Sequence, residues 1–140
     1  MQILPLNLEF IKTNWNIFQV IEEKSGLSRT WTIENFTDSL PNKWELSKII
    51  LSDNLIIGYA ILSEKSSVCA HLHRIVIAPD HQRNGIGSVF LSSIIDGLAS
   101  MYNFLTLKVE SEDTKSFYTK LGFLPLFSTE HSTYLLRVIK

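Results

Sequence analysis

The sequence predicts an α/β (α+β) fold in which a mixed, mostly antiparallel central sheet is flanked by helices. Segments whose apolar residues recur at helical spacing are interspersed with short segments in which apolar and polar residues alternate, as in strands. Three strand-like segments follow one another in the middle of the chain, and two more follow at its end. The resulting order is β-α-α-β-β-β-α-β-α-β-β, in which helices cover the apolar faces of a sheet.

The first half of the chain supplies two helices. Apolar residues recur at helical spacing over residues 8–24, and Gly26 follows as a stop signal. A shorter helix is expected over residues 32–36, with Thr30 or Thr32 as its cap and Pro41 beyond its end. The strands expected in this half are residues 2–6, 44–52, 55–62 and 68–77, and the second and third of them form a hairpin around Asp53-Asn54.

The second half begins with the longest amphipathic helix, expected over residues 85–102. Residues 104–109 alternate between apolar and polar side chains and predict a strand. A short helix is expected over residues 112–121, because Gly122 stands where a left-handed residue often ends a helix. The last two strands expected are residues 123–127 and 133–138.

Length and composition restrict the classes of function. The 140 residues contain no repeat, linker or low-complexity segment, so one domain is expected over residues 1–140. The net charge of −1 argues against a nucleic-acid partner, because neutralising phosphates requires a basic excess. The single cysteine, Cys69, excludes an internal disulfide and a cysteine-based zinc cluster. With no signal peptide and no long apolar run, the chain is expected to be cytoplasmic and to have no membrane partner.

The most informative segment lies between a predicted strand and the longest predicted helix. It contains Gln82, Arg83 and Asn84, followed by two glycines, Gly85 and Gly87, at the helix start. The first turn of a helix has unpaired N–H groups and a positive dipole end, which bind phosphate oxygens, and glycine lets an anion approach the backbone closely. The spacing fits neither the dinucleotide-binding fingerprint nor the Walker loop. A tight strand-to-helix turn without a ligand is the alternative interpretation.

A second motif later in the chain completes an ordered set. Residues 82–87 match the Gln/Arg-x-x-Gly-x-Gly/Ala signature for acetyl-CoA, and residues 118–123 match a Tyr-x-x-x-Gly-Phe segment. Over residues 68–127 the chain resembles the GNAT superfamily of acetyl-CoA-dependent N-acetyltransferases. The resemblance implies the GNAT-like acyl-CoA N-acyltransferase fold, with acetyl-CoA as co-substrate and no metal.

The resemblance also implies which residues bind acetyl-CoA. Its pyrophosphate is expected on the backbone N–H groups from Gln82 to Ser88. Its pantetheine arm is expected along the end of the preceding strand, in a slot left where residues 104–109 splay away. Ser111 stands where many relatives have an asparagine near the cofactor. The residues implied in cofactor binding are Ile75, Val76, Ile77, Gln82, Arg83, Asn84, Gly85, Ile86, Gly87, Ser88, Ser111 and Tyr118.

The chemistry requires an acid and a base. Tyr118 is the candidate acid, since a phenol with a pKa of about 10 can protonate a departing thiolate. Some relatives use a glutamate as the base, but Lys108 occupies that place here. His71 and His73 share a strand face and titrate near neutrality, so His73 is the preferred base, with Glu110 as a further candidate. The two histidines have no evident third ligand for a metal.

The acceptor is expected to be a primary amine of a small molecule, acetylated by direct transfer in a ternary complex. Trp31 and Phe36 lie in the helical region that shapes the acceptor pocket in this superfamily, so they are candidate substrate-binding residues. Acetylation of a protein N-terminus or lysine is the first alternative. A non-catalytic CoA-binding module and an interaction domain without a cofactor are alternatives of other classes. Monomer and homodimer both remain open.

Overall fold

The computed structural model describes residues 1–140, which form six α-helices and seven strands. The strands are β1 (Gln2–Pro5), β2 (Lys48–Ser52), β3 (Leu55–Ser66), β4 (Cys69–Ile77), β5 (Phe104–Val109), β6 (Leu124–Ser128) and β7 (Thr133–Val138). The helices are α1 (Leu8–Thr13), α2 (Trp15–Lys24), α3 (Ile33–Thr37), α4 (Lys43–Leu46), α5 (Ile86–Leu98) and α6 (Glu112–Lys120). None of these helices combines the length and apolar character needed to cross a membrane.

All seven strands belong to one sheet, in the order β1-β2-β3-β4-β5-β7-β6. Every neighbouring pair is antiparallel except β4 and β5, which are parallel and joined by the α5 crossover. Asp53 and Asn54, with φ of 51° and 65°, form the tight turn between β2 and β3. The predicted fold class, a mostly antiparallel sheet flanked by helices, is confirmed.

The single helix predicted over residues 8–24 is two helices. Asn14, with φ −111° and ψ 22°, separates α1 from α2. Its side-chain Nδ2 donates a hydrogen bond to the Phe10 carbonyl (2.9 Å), to which its own N–H also donates. An asparagine side chain competes in this way with the regular helical hydrogen bonds, which the apolar spacing did not reveal.

The strand predicted over residues 44–52 is wrong in its first part, where the short helix α4 precedes β2. Asn42 adopts a left-handed conformation (φ 55°) and starts α4. The buried Lys43 ammonium lies 2.6 Å from the Asp38 carboxylate and donates to the Asp38 carbonyl at 3.0 Å. These contacts hold α4 against the end of α3. Elsewhere α5 stops at Leu98, about one turn before the predicted end, and β3 continues beyond its predicted end to Ser66.

Two apolar cores lie on opposite faces of the sheet. The larger core includes Phe90 and Ile94 of α5 and the inward side chains of β5 and β7. The smaller core lies under α1–α3 and is aromatic: the Phe36 ring centroid is 5.7 Å from that of Phe18 and 5.4 Å from that of Tyr59. All three tryptophans pack at the border of the smaller core: Trp15, Trp31 and Trp44.

Two irregularities in β4 open the sheet. Ile61 pairs with Arg74 and Leu62 pairs with Leu72, so His73 is the extra residue of a β-bulge. The pairing of β4 with β5 ends at Leu72 and Leu107, and the strands separate beyond that point. The divergence confirms the expected slot beside residues 104–109.

Two glycines provide a test of this architecture. A Cβ on Gly58 would lie 2.6 Å from the Val76 carbonyl oxygen, whereas a Cβ on Gly97 of α5 would meet nothing within 4 Å. We expect Gly58→Ala to lower the free energy of unfolding by about 1–3 kcal/mol through overpacking. Gly97→Ala is expected to raise it by about 0.5–1 kcal/mol through helix propensity. Urea unfolding measures both changes, and equal midpoints for the two variants would contradict the packing described for β3 and β4.

Candidate active site

The loop before α5 presents a row of unpaired backbone donors. Arg83 and Gly85 have φ of 68° and 76°, and these left-handed residues turn the chain into the helix. The N–H groups from Arg83 to Ser88 donate to no backbone or side-chain acceptor in the protein. The first turn of α5 carries no acidic side chain. The segment therefore offers N–H groups and a positive helix end to an anion.

Gln82 has a different part in this loop from the one predicted. Its own N–H donates to the Pro79 carbonyl (3.2 Å), so it is not among the free donors. Its side-chain Nε2 donates to the Ile77 carbonyl at 2.8 Å. Gln82 thus ties the loop to the end of β4. The exposed Asn84 and the half-buried Ile86, which packs against the larger core, complete the segment.

A cavity of about 490 Å³ lies between the end of β4, the start of α5 and α6. A Cβ on Gly87 would lie 3.7 Å from the Phe117 ring and 3.9 Å from Ile77, so glycine keeps this wall open. Ser88 and Asp113 also line the cavity. Its remaining walls include Ile75, Ile77, Gln82, Arg83, Phe117 and Tyr118. The free N–H groups of the loop before α5 lie beside this cavity, where the pyrophosphate was expected.

The last residues of β4 direct main-chain groups into the gap. The Ala78 N–H donates to the Ile57 carbonyl (2.7 Å), so the main-chain groups of Ala78 point toward β3. Successive residues of a strand direct their main-chain groups to opposite sides, so the N–H and carbonyl groups of Ile75 and Ile77 point away from β3. They face the gap, where β5 no longer pairs with β4. Val76 instead places its side chain in the smaller core. The predicted pairing of a ligand with this strand therefore has free partners in the Ile75 N–H and carbonyl and in the Ile77 N–H, whereas the Ile77 carbonyl already accepts from Gln82 Nε2.

Tyr118 lines the same cavity from α6. Its side chain is 6% exposed, and its ring packs edge-on against Phe117 and Phe123, with centroids 5.1 and 5.5 Å away. Burial raises the pKa of the Tyr118 phenol above its usual value. Its hydroxyl makes no hydrogen bond within the protein, so the proton-bearing oxygen is unengaged. The phenol is protonated at neutral pH and available as a donor.

A second cavity, of about 590 Å³, adjoins the first along β4. Thr114 lines both cavities, and Leu72, the last residue of β4 that pairs with β5, lines the second. The walls of the second cavity include Leu27, Ser28, Arg29, Trp31, His71, His73, Arg74, Lys108 and Glu110. The pair of cavities can hold two ligands that meet at the gap.

The two histidines lie side by side in the second cavity, with ring centroids 4.7 Å apart. His73 Nε2 is 2.7 Å from the Ser63 hydroxyl, and His71 Nδ1 is 2.7 Å from the Thr106 hydroxyl. Burial and the neighbouring cations lower the pKa of His71 to about 4, and burial lowers the pKa of His73 as well. Both rings are neutral at pH 7 and can accept a proton.

Trp31 and Phe36, both predicted to shape the acceptor pocket, differ in their access to it. Trp31 lines the second cavity, and the Arg74 guanidinium lies 5.4 Å from its ring centroid. Phe36 is completely buried in the smaller core, 5.1 Å from the Trp31 ring. Phe36 therefore supports Trp31 from behind, and its expected contact with the acceptor is corrected.

A buried ion pair supports the wall of the second cavity that contains Trp31, and the sequence analysis did not predict it. The Glu22 carboxylate of α2, which is 1% exposed, accepts from Arg74 Nη2 at 2.6 Å and from the Trp31 N–H at 2.7 Å. It also accepts from the Tyr59 hydroxyl at 2.5 Å. Arg74 was missed because the bulge at His73 shifts the alternation of β4, so simple counting places its side chain on the other face.

Ser111 and Glu110 follow the end of β5 and line the second cavity, not the first, so Ser111 lies outside the cavity next to which the cofactor was expected. The Ser111 hydroxyl accepts the Thr114 N–H at 3.2 Å and lies 2.7 Å from the Thr114 hydroxyl, so it caps α6. The Glu110 carboxylate is exposed and lies 3.4 Å from the Ser28 hydroxyl. Thr114 was not predicted as a site residue, although it lies four residues before Tyr118 and therefore on the same face of α6.

Comparisons with known proteins identify a family and a shared fold. Residues 12–123 match the acetyltransferase (GNAT) family. Glucosamine 6-phosphate N-acetyltransferase of Schizosaccharomyces pombe is 29% identical over 55 residues, covering 39% of this chain and 50% of that protein. The aligned segment thus spans about half the length of this curated relative.

Solved structures share the fold along the whole chain. The ribosomal-protein-S18-alanine N-acetyltransferase of Escherichia coli has a TM-score of 0.83 at 21% identity, covering 99% of this chain and 94% of that one. The PaiA N-acetyltransferase of Thermoplasma acidophilum, solved with coenzyme A, has a TM-score of 0.74 at 18% identity, covering 98% of each chain. Because the family match covers residues 12–123, most of the chain, this chain belongs to the acetyltransferase (GNAT) family.

Proposed function

We propose that this chain transfers the acetyl group of acetyl-CoA to the primary amine of a small molecule, directly within a ternary complex. The observation that carries the proposal is the separation of β4 and β5 beside two adjacent cavities that share Thr114. One cavity has the unpaired N–H groups that suit a pyrophosphate, and the other has neutral histidines. The amine and the thioester can meet at the gap without an acetylated protein side chain between them.

The residues that hold acetyl-CoA are those of the loop, α5 and the end of β4. The N–H groups of residues 83–88 bind the pyrophosphate, with the Arg83 guanidinium beside them. The Ile75 N–H and carbonyl and the Ile77 N–H, which point away from β3, pair with the amide groups of the pantetheine arm. The Ile75 N–H polarises the thioester carbonyl and stabilises the negative charge that develops on its oxygen.

Two side chains move the protons. The His73 imidazole, through a water molecule, accepts the proton that the amine nitrogen loses on bonding to the carbonyl carbon. As the carbon–sulfur bond breaks, the Tyr118 phenol donates its proton to the departing thiolate. The products are the acetamide and coenzyme A, and the proton held by His73 returns through solvent to the phenolate of Tyr118.

Removing the Tyr118 hydroxyl tests the acid. We expect Tyr118→Phe to lower kcat by about a hundredfold or more, because proton donation to the thiolate is lost. Its affinity for acetyl-CoA and its stability should remain unchanged, since the hydroxyl has no hydrogen-bond partner in the protein. Tyr134→Phe, which alters a ring stacked on Phe127 away from both cavities, is the matched control. Unchanged turnover in Tyr118→Phe would remove this residue from the mechanism.

A carboxylate at the start of α5 tests the cofactor site. We expect Gly87→Glu to weaken acetyl-CoA binding by more than about tenfold, because the new charge faces the pyrophosphate. Gly97→Glu adds the same charge to the same helix in open space and should bind normally. Calorimetric titration with acetyl-CoA measures both variants. Equal affinity in the two would show that the pyrophosphate lies elsewhere, and binding without turnover of any amine would favour a non-catalytic CoA-binding module.

The pH dependence tests the base. The pKa of His73 lies below its ordinary value of 6.5, and the neutral ring is the active form. The kcat should therefore rise as pH increases through a value below 6.5, and His73→Gln should lack this limb. His131→Gln, on a side chain 85% exposed, should retain it. A limb that persists in His73→Gln would assign the base to another group.

Acetylation of a protein N-terminus or lysine is the alternative acceptor class. The E. coli protein that shares this fold is a ribosomal-protein-S18-alanine N-acetyltransferase. Incubation with acetyl-CoA and either peptide mixtures or small amines, followed by mass spectrometry, separates the classes. Acetylated peptides with no acetylated small amine would replace the present proposal with the protein-directed one.

A further inference from the structure

We refer to the second cavity as the acceptor cavity and to the first as the cofactor cavity. The side chains that line the acceptor cavity carry more positive than negative charge. Three cationic side chains line it: Arg29, Arg74 and Lys108. Arg74 is neutralised by the Glu22 carboxylate, which it contacts through two nitrogens at 2.6 and 3.2 Å. Arg29 and Lys108 form no ion pair within the protein. Two cations are thus left without a partner.

Lys108 lies where its charge reaches the reacting centre. It follows Leu107, the last residue of β5 that pairs with β4, so it is at the mouth of the gap. Leu107 and Val109 face the larger core, which places Lys108 on the opposite face, together with Thr106 and its partner His71. Its side chain is exposed and lines the acceptor cavity rather than the cofactor cavity.

The other groups facing the cavity do not compensate for both cations. The Glu110 carboxylate is the remaining acid in its lining, and it lies at the exposed corner near the Ser28 hydroxyl. His71 and His73 are uncharged, and Trp31 and Leu27 are apolar. An acceptor with a second positive charge would be repelled by Lys108 and Arg29, whereas an anionic group would be attracted to them.

We propose that the acceptor is a small primary amine that also carries an anionic group, a carboxylate or a phosphate, which Lys108 binds together with Arg29. This inference rests on the proposed acetyltransferase function and specifies its substrate class. The anion occupies the cationic wall of the cavity while the amine points into the gap. The same cations disfavour the protonated form of the bound amine, which helps it to reach the neutral form that attacks.

Two matched sets of amines test the substrate class with the unmodified protein. γ-Aminobutyrate, butylamine and putrescine share a four-carbon chain and differ in whether its far end is anionic, neutral or cationic. O-Phosphoethanolamine and ethanolamine provide the same comparison for a phosphate. We expect kcat/KM for an anionic amine to exceed that for its neutral counterpart by about tenfold or more, with putrescine the poorest. The set that shows this preference identifies the carboxylate or the phosphate. Equal or faster transfer to the neutral amines would overturn the proposal.

Charge reversal assigns the effect to a residue. Lys108→Glu should raise KM for the preferred anionic amine by about tenfold or more and improve putrescine, with a smaller effect on kcat. Lys65→Glu is the control, because Lys65 is also an exposed strand lysine whose charge acts on His71 but it lines neither cavity. The same loss in both variants would mean a general field effect and would overturn the assignment to Lys108.

Binding decides the case if no amine in either set is acetylated, an outcome that counts against the proposed function. The protein saturated with coenzyme A is then titrated with each amine by calorimetry. Binding of an anionic amine that Lys108→Glu abolishes and Lys65→Glu preserves would support the charge preference without turnover. If none of the amines binds, or if transfer is confined to peptides with acidic residues, the small anionic acceptor is wrong.

Discussion

The divergence of β4 and β5 is the constraint on which the rest of the site depends. A parallel pair in mid-sheet would ordinarily satisfy its main-chain groups along its full length, yet here the pairing ends at Leu72 and Leu107. The end of β4 consequently keeps free N–H and carbonyl groups inside an otherwise bonded sheet. The bulge at His73 bends the same strand and brings His73 and Arg74 to one face. One break in pairing thus creates both the opening between the cavities and the free groups at its edge.

The helical layer over the smaller core is tied to this strand by a buried charge. Glu22 is almost fully enclosed, and it is satisfied by Arg74 on β4, by Tyr59 on β3 and by the Trp31 N–H on the loop before α3. A buried carboxylate must be paired in this way, because an unpaired charge in the interior is costly. These contacts of Glu22 therefore fix the position of one wall of the acceptor cavity relative to the sheet. The wall carries Trp31 and Arg29, and the Arg29 carbonyl also accepts from Arg74 at 2.7 Å.

Local apolar patterns predicted most helices and strands, whereas single side chains, backbone conformations and long-range contacts account for the differences from the observed structure. Alternation over residues 104–109 correctly predicted the bounds of β5. Gly122, which has a φ of 96°, predicted the end of α6 to within a residue. The break at Asn14 and the start of α4 at Asn42 depend on single side chains and a left-handed residue, which hydrophobic periodicity does not report. The role of Phe36 could not be read from its position in a helix, because only the packed core shows that Trp31 lies in front of it. The same holds for Arg74, whose facing depends on a bulge formed with β3.

The distribution of tryptophans between the two faces has a spectroscopic consequence. Trp15, Trp31 and Trp44 all border the smaller core, and the larger core under α5 and α6 contains none. Intrinsic tryptophan emission from this protein therefore originates from the acceptor face alone. Trp31 is the indole nearest the acceptor cavity, so quenching or a shift in emission reports on that wall, while events at the start of α5 remain spectroscopically silent. A change in emission can thus be assigned to the acceptor side, because the start of α5 lies on the opposite side of the sheet.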